Sequence, residues 1–144
     1  MGTAGVADRI VDLLPSPEDR PFPATRISGE TLAIAPDSAA PLAALVFKTL
    51  NDPFTGKLSI VRVAQGTLSA DTALWNVRLE ESEKASGLLF LQGKQGIATP
   101  KLHAGDIGAI AKLKSTRSGD TLTLKDRPLH LAWIQIAEPA KTFA

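Results

Sequence analysis

The 144-residue chain has no cysteine, no tyrosine, one methionine and two histidines. Without cysteine it can form neither a disulfide framework nor a thiolate metal site. His103 and His130 stand far apart, with no partner at ligand spacing, so no metal is expected. No apolar run approaches the roughly 18 residues that a membrane-spanning helix needs. Met1 is not followed by a basic and apolar leader, so no secretion signal is expected and a soluble, cytoplasmic protein is the default. Strong charge is missing as well: the net charge is +1 and the pI is about 8.1. That is well short of the balance that by itself announces a nucleic-acid binder.

What is present is an apolar content of 44%, enough for one domain to bury a core unaided. The charge is unevenly placed. Residues 1–37 carry three basic side chains (Arg9, Arg20, Arg26) against six acids, whereas residues 84–117 carry six basic side chains against Asp106 alone. The second half therefore offers either a basic patch or lysines on strand edges, where they discourage edge-to-edge pairing.

Periodicity divides the chain. Val6, Ile10, Leu13 and Leu14 fall at helical spacing over Gly5–Leu14, and Pro15 and Pro17 stop that short amphipathic helix. Alone it is too short to be stable, so its apolar stripe must pack on the rest of the chain or lie exposed. Residues 18–41 are rich in proline, serine and alanine and read as an irregular linker, with a short edge strand possible over Thr31–Ala35. From Leu42 onward the residues favour strands, over Leu42–Leu50, Lys57–Gln65, Thr72–Val77, Gly87–Gln92, Ile107–Leu113 and Leu129–Ile136. Within Ile107–Leu113, alternation of Ile107, Ala109, Ala111 and Leu113 with Gly108, Ile110 and Lys112 predicts a strand with one buried face. Six short strands with no later helix predict an antiparallel barrel or sandwich. Gly66, Gly105 and Gly119 suit turns that require positive φ. Asp106 and Asp120 suit turns in which a carboxylate bonds the backbone two residues on.

Enzyme chemistry finds no support. Gly56-Lys57 is the nearest approach to a phosphate loop, but Leu58 and Asn51 break the pattern and the context is a strand-to-strand turn. His103 beside Asp106 has no serine on a nucleophile elbow to serve. Glu80, Glu81 and Glu83 read most simply as a solvated loop. Trp75 and Trp133 sit in apolar runs, which favours packing over base stacking.

Four motifs, Asn51-Asp52-Pro53-Phe54-Thr55-Gly56-Lys57-Leu58, Arg62-Val63-Ala64-Gln65-Gly66-Thr67-Leu68, Ala104-Gly105-Asp106-Ile107 and Gly119-Asp120-Thr121-Leu122, recur in an order and spacing that closely resembles the second domain of elongation factor G and its paralogs among the translational GTPases. The segment ending Leu13-Leu14-Pro15-Ser16-Pro17 looks like the last helix of the GTPase domain of such a factor. Ala137-Glu138-Pro139-Ala140 looks like the junction that opens its third domain. The resemblance implies an all-β, closed six-stranded antiparallel Greek-key barrel over residues 42–136. Before it would come a helix remnant over 1–17 and a linker over 18–41, and after it the start of the next domain over 137–144.

The resemblance further implies a non-catalytic fragment. It would pack on the GTPase domain and the following domain of its parent and touch small-subunit ribosomal RNA, with no role at a membrane. GTP and magnesium would bind elsewhere in the parent, leaving no cofactor here. Phe54, Thr55, Gly56 and Lys57, with Lys94 and Lys101 from a second loop, are the implied RNA contacts. Asp52, Pro53, Arg62, Gly66, Gly105, Asp106, Gly119 and Asp120 are the implied structural turn residues. The stretch Leu89 to Gln95 matches less characterised paralogs better than the standard factor. Two other roles stay open: an interdomain transmission element without RNA affinity of its own, and the same domain of a ribosome-protection factor.

Overall fold

The computed structural model describes residues 3–52, 56–93 and 95–132. Phe54, Thr55, Pro53, Lys94 and Trp133, the end of the expected strand Leu129–Ile136 and the expected start of a further domain at 137–144 lie outside the described residues. Among the described residues one helix, α1 (Thr3–Leu13), and a 3-10 turn at Pro17–Asp19 precede thirteen strands. These are β1 (Phe22–Arg26), β2 (Thr31–Ile34), β3 (Ala43–Asp52), β4 (Gly56–Gln65), β5 (Thr67–Ser69), β6 (Ala73–Asn76), β7 (Glu81–Lys84), β8 (Leu88–Gln92), β9 (Gln95–Thr99), β10 (Lys101–His103), β11 (Ile107–Ala111), β12 (Thr121–Thr123) and β13 (Leu129–Leu131).

Every strand pair is antiparallel. Eight strands form one sheet in the order β7-β6-β12-β3-β4-β11-β8-β9; β10 pairs with β5, and β13-β1-β2 form a third sheet. The all-β, antiparallel expectation is met. The closed six-stranded barrel is not what the ladders show: among the described residues no pairing joins β7 to β9, so the large sheet keeps two edges.

Its inner face nonetheless converges. Leu74 from β6 and Leu88 from β8, five strands away in the sheet order, belong to one buried cluster with Val46, Val61, Val63, Ile110 and Leu122. At about 4.8 Å per strand a flat sheet would hold its two end strands, β7 and β9, about 34 Å apart, yet the carbonyls of Ala85, next after β7, and Pro100, next after β9, accept from the adjacent amides of Asp71 at 2.8 Å and Ala70 at 3.0 Å. The sheet curls around its core, and Leu68 of β5 and Leu102 of β10, both fully buried, enter the same cluster.

A second cluster lies on the opposite face of β3 and β4, where Ala43, Leu45 and Ala64 meet Ala24, Ile34, Leu129 and Leu131 of the three-stranded sheet. Residues 18–41, expected as an irregular linker, thus contain a β1–β2 hairpin that covers this face. Proline masked the hairpin: Pro23 sits in β1 and pairs with Ala33. In β11 the expected one-sided alternation fails: the successive residues Ala109 and Ile110, which face opposite sides, are both inaccessible, while Ile107 is 53% exposed. That strand also ends at Ala111 rather than Leu113, since Lys112 adopts φ 63°, outside the extended region.

α1 has no buried residue. Of the two outcomes open to its apolar stripe, exposure is the one seen: Val6, Ile10 and Leu13 are all more than half accessible. The chain between α1 and β1 is held instead by Pro17, which packs on the turn at Gly105.

Candidate nucleic-acid interface

Gly66 separates β4 from β5 and lets one run of chain leave the large sheet for the two-stranded β5–β10 sheet. Its φ is +77°, and a Cβ there would meet Leu42 Cα at 2.6 Å and Ala40 O at 2.8 Å. Only glycine fits so close a backbone crossing. Beyond β10, the Ala104-Gly105-Asp106 turn is closed by the Asp106 carboxylate, which accepts from the His103 amide at 2.8 Å, while the Asp106 carbonyl accepts from Val63 N at 3.0 Å. His103 itself is exposed, with Nδ1 3.4 Å from Thr67 Oγ1. Arg62 lies inside β4, half-buried opposite Leu45 and Ile107 rather than in a turn.

The loop joining β11 to β12, residues 112–120, carries the densest polar network described. Asp120, with its side chain 2% exposed, accepts from Arg117 N at 3.0 Å and from Asn76 Nδ2 at 2.8 Å. Both of its oxygens also receive the Arg78 guanidinium, Nε on one and Nη2 at 2.9 Å on the other. Such a bidentate pair fixes orientation as well as charge. Asn76, fully buried, donates also to Thr116 Oγ1 at 3.1 Å, and its Oδ1 accepts from the amides of Arg78 and Leu79. The β6–β7 turn and the 112–120 loop are therefore tied through one amide side chain.

Glu83 completes the network from β7. One carboxylate oxygen accepts from Thr116 N at 2.9 Å and Thr116 Oγ1 at 2.6 Å; the other accepts from the amides of Lys114 and Ser115. Burial pushes the Glu83 carboxyl up, but these four donors outweigh it and hold the group below the usual carboxylate range. Burial likewise raises Asp120, and the Arg78 hydrogen bonds, Asn76, the Arg117 amide and the Arg78 charge more than reverse the effect. Glu83 is thus not part of a merely solvated acidic loop, as the sequence suggested; three successive backbone amides enclose it.

Lys57, an implied RNA contact, meets the same loop from the other side. Its Nζ donates to the carbonyl oxygens of Lys114 at 3.0 Å and Thr116 at 2.6 Å, and its own carbonyl accepts from Lys112 N at 2.9 Å. Lys101 lies in β10, exposed and opposite Ser69, in a different sheet from Lys57. Gly56 stands at the start of β4 with φ +78°, and a side chain there would meet nothing among the described residues. Trp75 is half-buried on β6, with Lys125 Nζ 5.3 Å from its ring centroid, a cation–π contact.

Sequence reasoning missed Asn76, Arg78, Glu83 and Thr116. Their partners in this network lie 31 to 44 residues away in the chain, so no local spacing could signal them. Among the described residues no group of His, Asp and Glu is arranged to hold a metal ion, and no helix is long and apolar enough to cross a membrane.

These features can be set beside known proteins. A crystal structure of a protein from Thermus thermophilus shares the fold, with a TM-score of 0.60 at 21% identity over 87% of this chain. The match spans only 16% of that longer chain. The sequence model of the family described as elongation factor G domain 2 matches residues 41–125. That span is more than half of the chain, and it holds the curled sheet, the Gly66 crossing and the whole Asn76–Glu83–Asp120 network. The chain belongs to the elongation factor G domain 2 family.

Proposed function

We propose that this chain serves as the second, non-catalytic domain of an elongation factor G-like translational GTPase, acting in the cytoplasm during ribosomal translocation. The family match over residues 41–125 carries this reading. The curled sheet supports a barrel of the translation-factor type, completed by packing of the β5–β10 strand pair rather than by a continuous ladder. In this reading GTP and magnesium belong to the parent's motor domain. The exposed stripe of α1 meets that motor, and small-subunit ribosomal RNA is the partner of the basic surface.

Phe54, Thr55, Gly56 and Lys57, with Lys94 and Lys101, are the contacts implied by the family. The missing side chain at Gly56, which is exposed, and the exposure of Lys101 favour close approach of a sugar-phosphate backbone. The test is low-salt co-sedimentation of the purified chain with small ribosomal subunits. Pelleting that falls steeply as salt rises and weakens in Lys101→Glu supports the reading. Pelleting no greater than for an unrelated protein of equal charge sinks it and leaves an interdomain transmission element, a role favoured by the rigid ties between Lys57, Glu83 and the 112–120 loop.

A further inference from the structure

The loop at residues 112–117 presents Lys112, Lys114 and Arg117 to solvent, all exposed, while Leu113 and Thr116 point into the protein. None of the three cations is in an ion pair among the described residues, where the only pairs are Arg26–Glu30, Arg78–Asp120 and Lys84–Asp71. Every acid that reaches this loop is already occupied. Glu83 is enclosed by the amides of 114–116, and Asp120 is bound by Arg78, Asn76 and Arg117 N.

The backbone is held in a costly shape as well: Lys112 has φ 63°, a left-handed conformation that a lysine rarely adopts. Strain of this kind persists only where surrounding contacts over-determine it, and here the contacts are Lys57 on the carbonyls and Glu83 on the amides. The sequence between the cations is serine, threonine and leucine, with no aromatic side chain to stack on a base. Three outward cations without an aromatic platform suit a phosphate backbone rather than base readout.

We propose that residues 112–117 form a sugar-phosphate contact in which Lys112, Lys114 and Arg117 are the ligands and Glu83 is a positioning residue: an internal anion that shapes a cationic loop. The inference rests on the ribosomal reading above and adds a surface that the family resemblance did not assign. Glu83 makes the idea sharp, because its charge and its role point in opposite directions. Removing a negative charge beside a cationic loop strengthens polyanion binding if only net charge matters, and weakens it if the carboxylate shapes the loop.

The experiment measures binding of the whole chain to small ribosomal subunits, and to protein-free small-subunit RNA, as a function of salt. For the triple variant Lys112→Gln, Lys114→Gln, Arg117→Gln, the log–log salt slope should shrink by about 2 to 3, at roughly 0.7 to 0.9 per phosphate contact. All three side chains are exposed, so this variant keeps the fold. Glu83→Gln should bind several-fold more weakly than the unmodified chain despite its added positive charge. A triple variant with unchanged slope and affinity overturns the proposal, and so does tighter binding by Glu83→Gln. Binding to subunits that is lost in the triple variant but absent on protein-free RNA overturns the RNA assignment in favour of an acidic protein surface. Failure of the unmodified chain to bind at all defeats the ribosomal reading itself, an outcome distinct from the others.

Discussion

Lys57 and Glu83 grip one loop by opposite poles of its backbone. The ammonium takes the carbonyl oxygens of Lys114 and Thr116 at 3.0 and 2.6 Å, and the carboxylate takes the amides of Lys114, Ser115 and Thr116. Because the two side chains come from β4 and β7, which are not neighbours in the sheet, the loop bridges strands that no ladder joins directly.

Asp120 is the hub whose loss is felt most. Asp120→Ala leaves one N–H of the buried Asn76 amide, whose other bond to Thr116 Oγ1 survives, and the Arg117 N–H without an acceptor, and frees the Arg78 guanidinium. Unsatisfied buried donors cost about 1–3 kcal/mol. With Arg78 one-third exposed and able to find water, a total loss of about 2–3 kcal/mol is expected in urea denaturation. Asp120→Asn, which keeps one acceptor oxygen, should lose less.

Acid should weaken the fold through the same two carboxylates. Both Glu83 and Asp120 are lowered in the folded state. Their contribution is therefore fully present above the ordinary carboxylate range near pH 4 and is lost as pH falls through their lower folded values. Stability measured between pH 6 and pH 2 should decline below about pH 4.5. Glu83→Gln and Asp120→Asn should each flatten that decline, and an unaltered slope in both would contradict the assignment.

Two glycines with nearly equal φ should respond very differently. Gly56→Ala adds a methyl that meets none of the described residues and should carry only the left-handed penalty of about 1–2 kcal/mol. Gly66→Ala adds the same penalty plus a collision with the Leu42 backbone, a further 1–3 kcal/mol by analogy with overpacked cores, about 2–5 kcal/mol in all. Chemical denaturation of the pair separates backbone conformation from crowding.

At Lys112 the strain is removable. Lys112→Gly should be more stable than Lys112→Ala by about 1 kcal/mol, because glycine adopts φ 63° freely. Equal midpoints in a denaturant titration would mean that the loop relaxes when the lysine is cut back.

The strand-rich half of the fold was legible in the sequence wherever long apolar runs met glycine or Asp-Pro punctuation, as in β3 and β4, and the helix was legible from the spacing of Val6, Ile10 and Leu13. Three-residue strands such as β5, β10 and β12 were not, because so short a segment shows no periodicity and is held by its partners. The β1–β2 hairpin hid behind Pro21, Pro23 and Pro36. The Lys57 motif was visible, but not that its ammonium reaches across to residues 114 and 116. Glu83 looked like one of three loop acids, since nothing in a run of glutamates says which one meets a nest of amides.

β3 faces a different core with each successive residue: Ala43 and Leu45 serve the outer cluster, Ala44 and Val46 the inner one. Inserting a single residue there would exchange the two sets and send every side chain to the wrong side. Length at this strand can change only in pairs or by a bulge, as at the register shifts between Ala43 and Ala44 and between Val46 and Lys48. Insertions of odd length, harmless in a surface loop, would be lethal to this one partition, so variation in the size of such domains must accumulate at their rims.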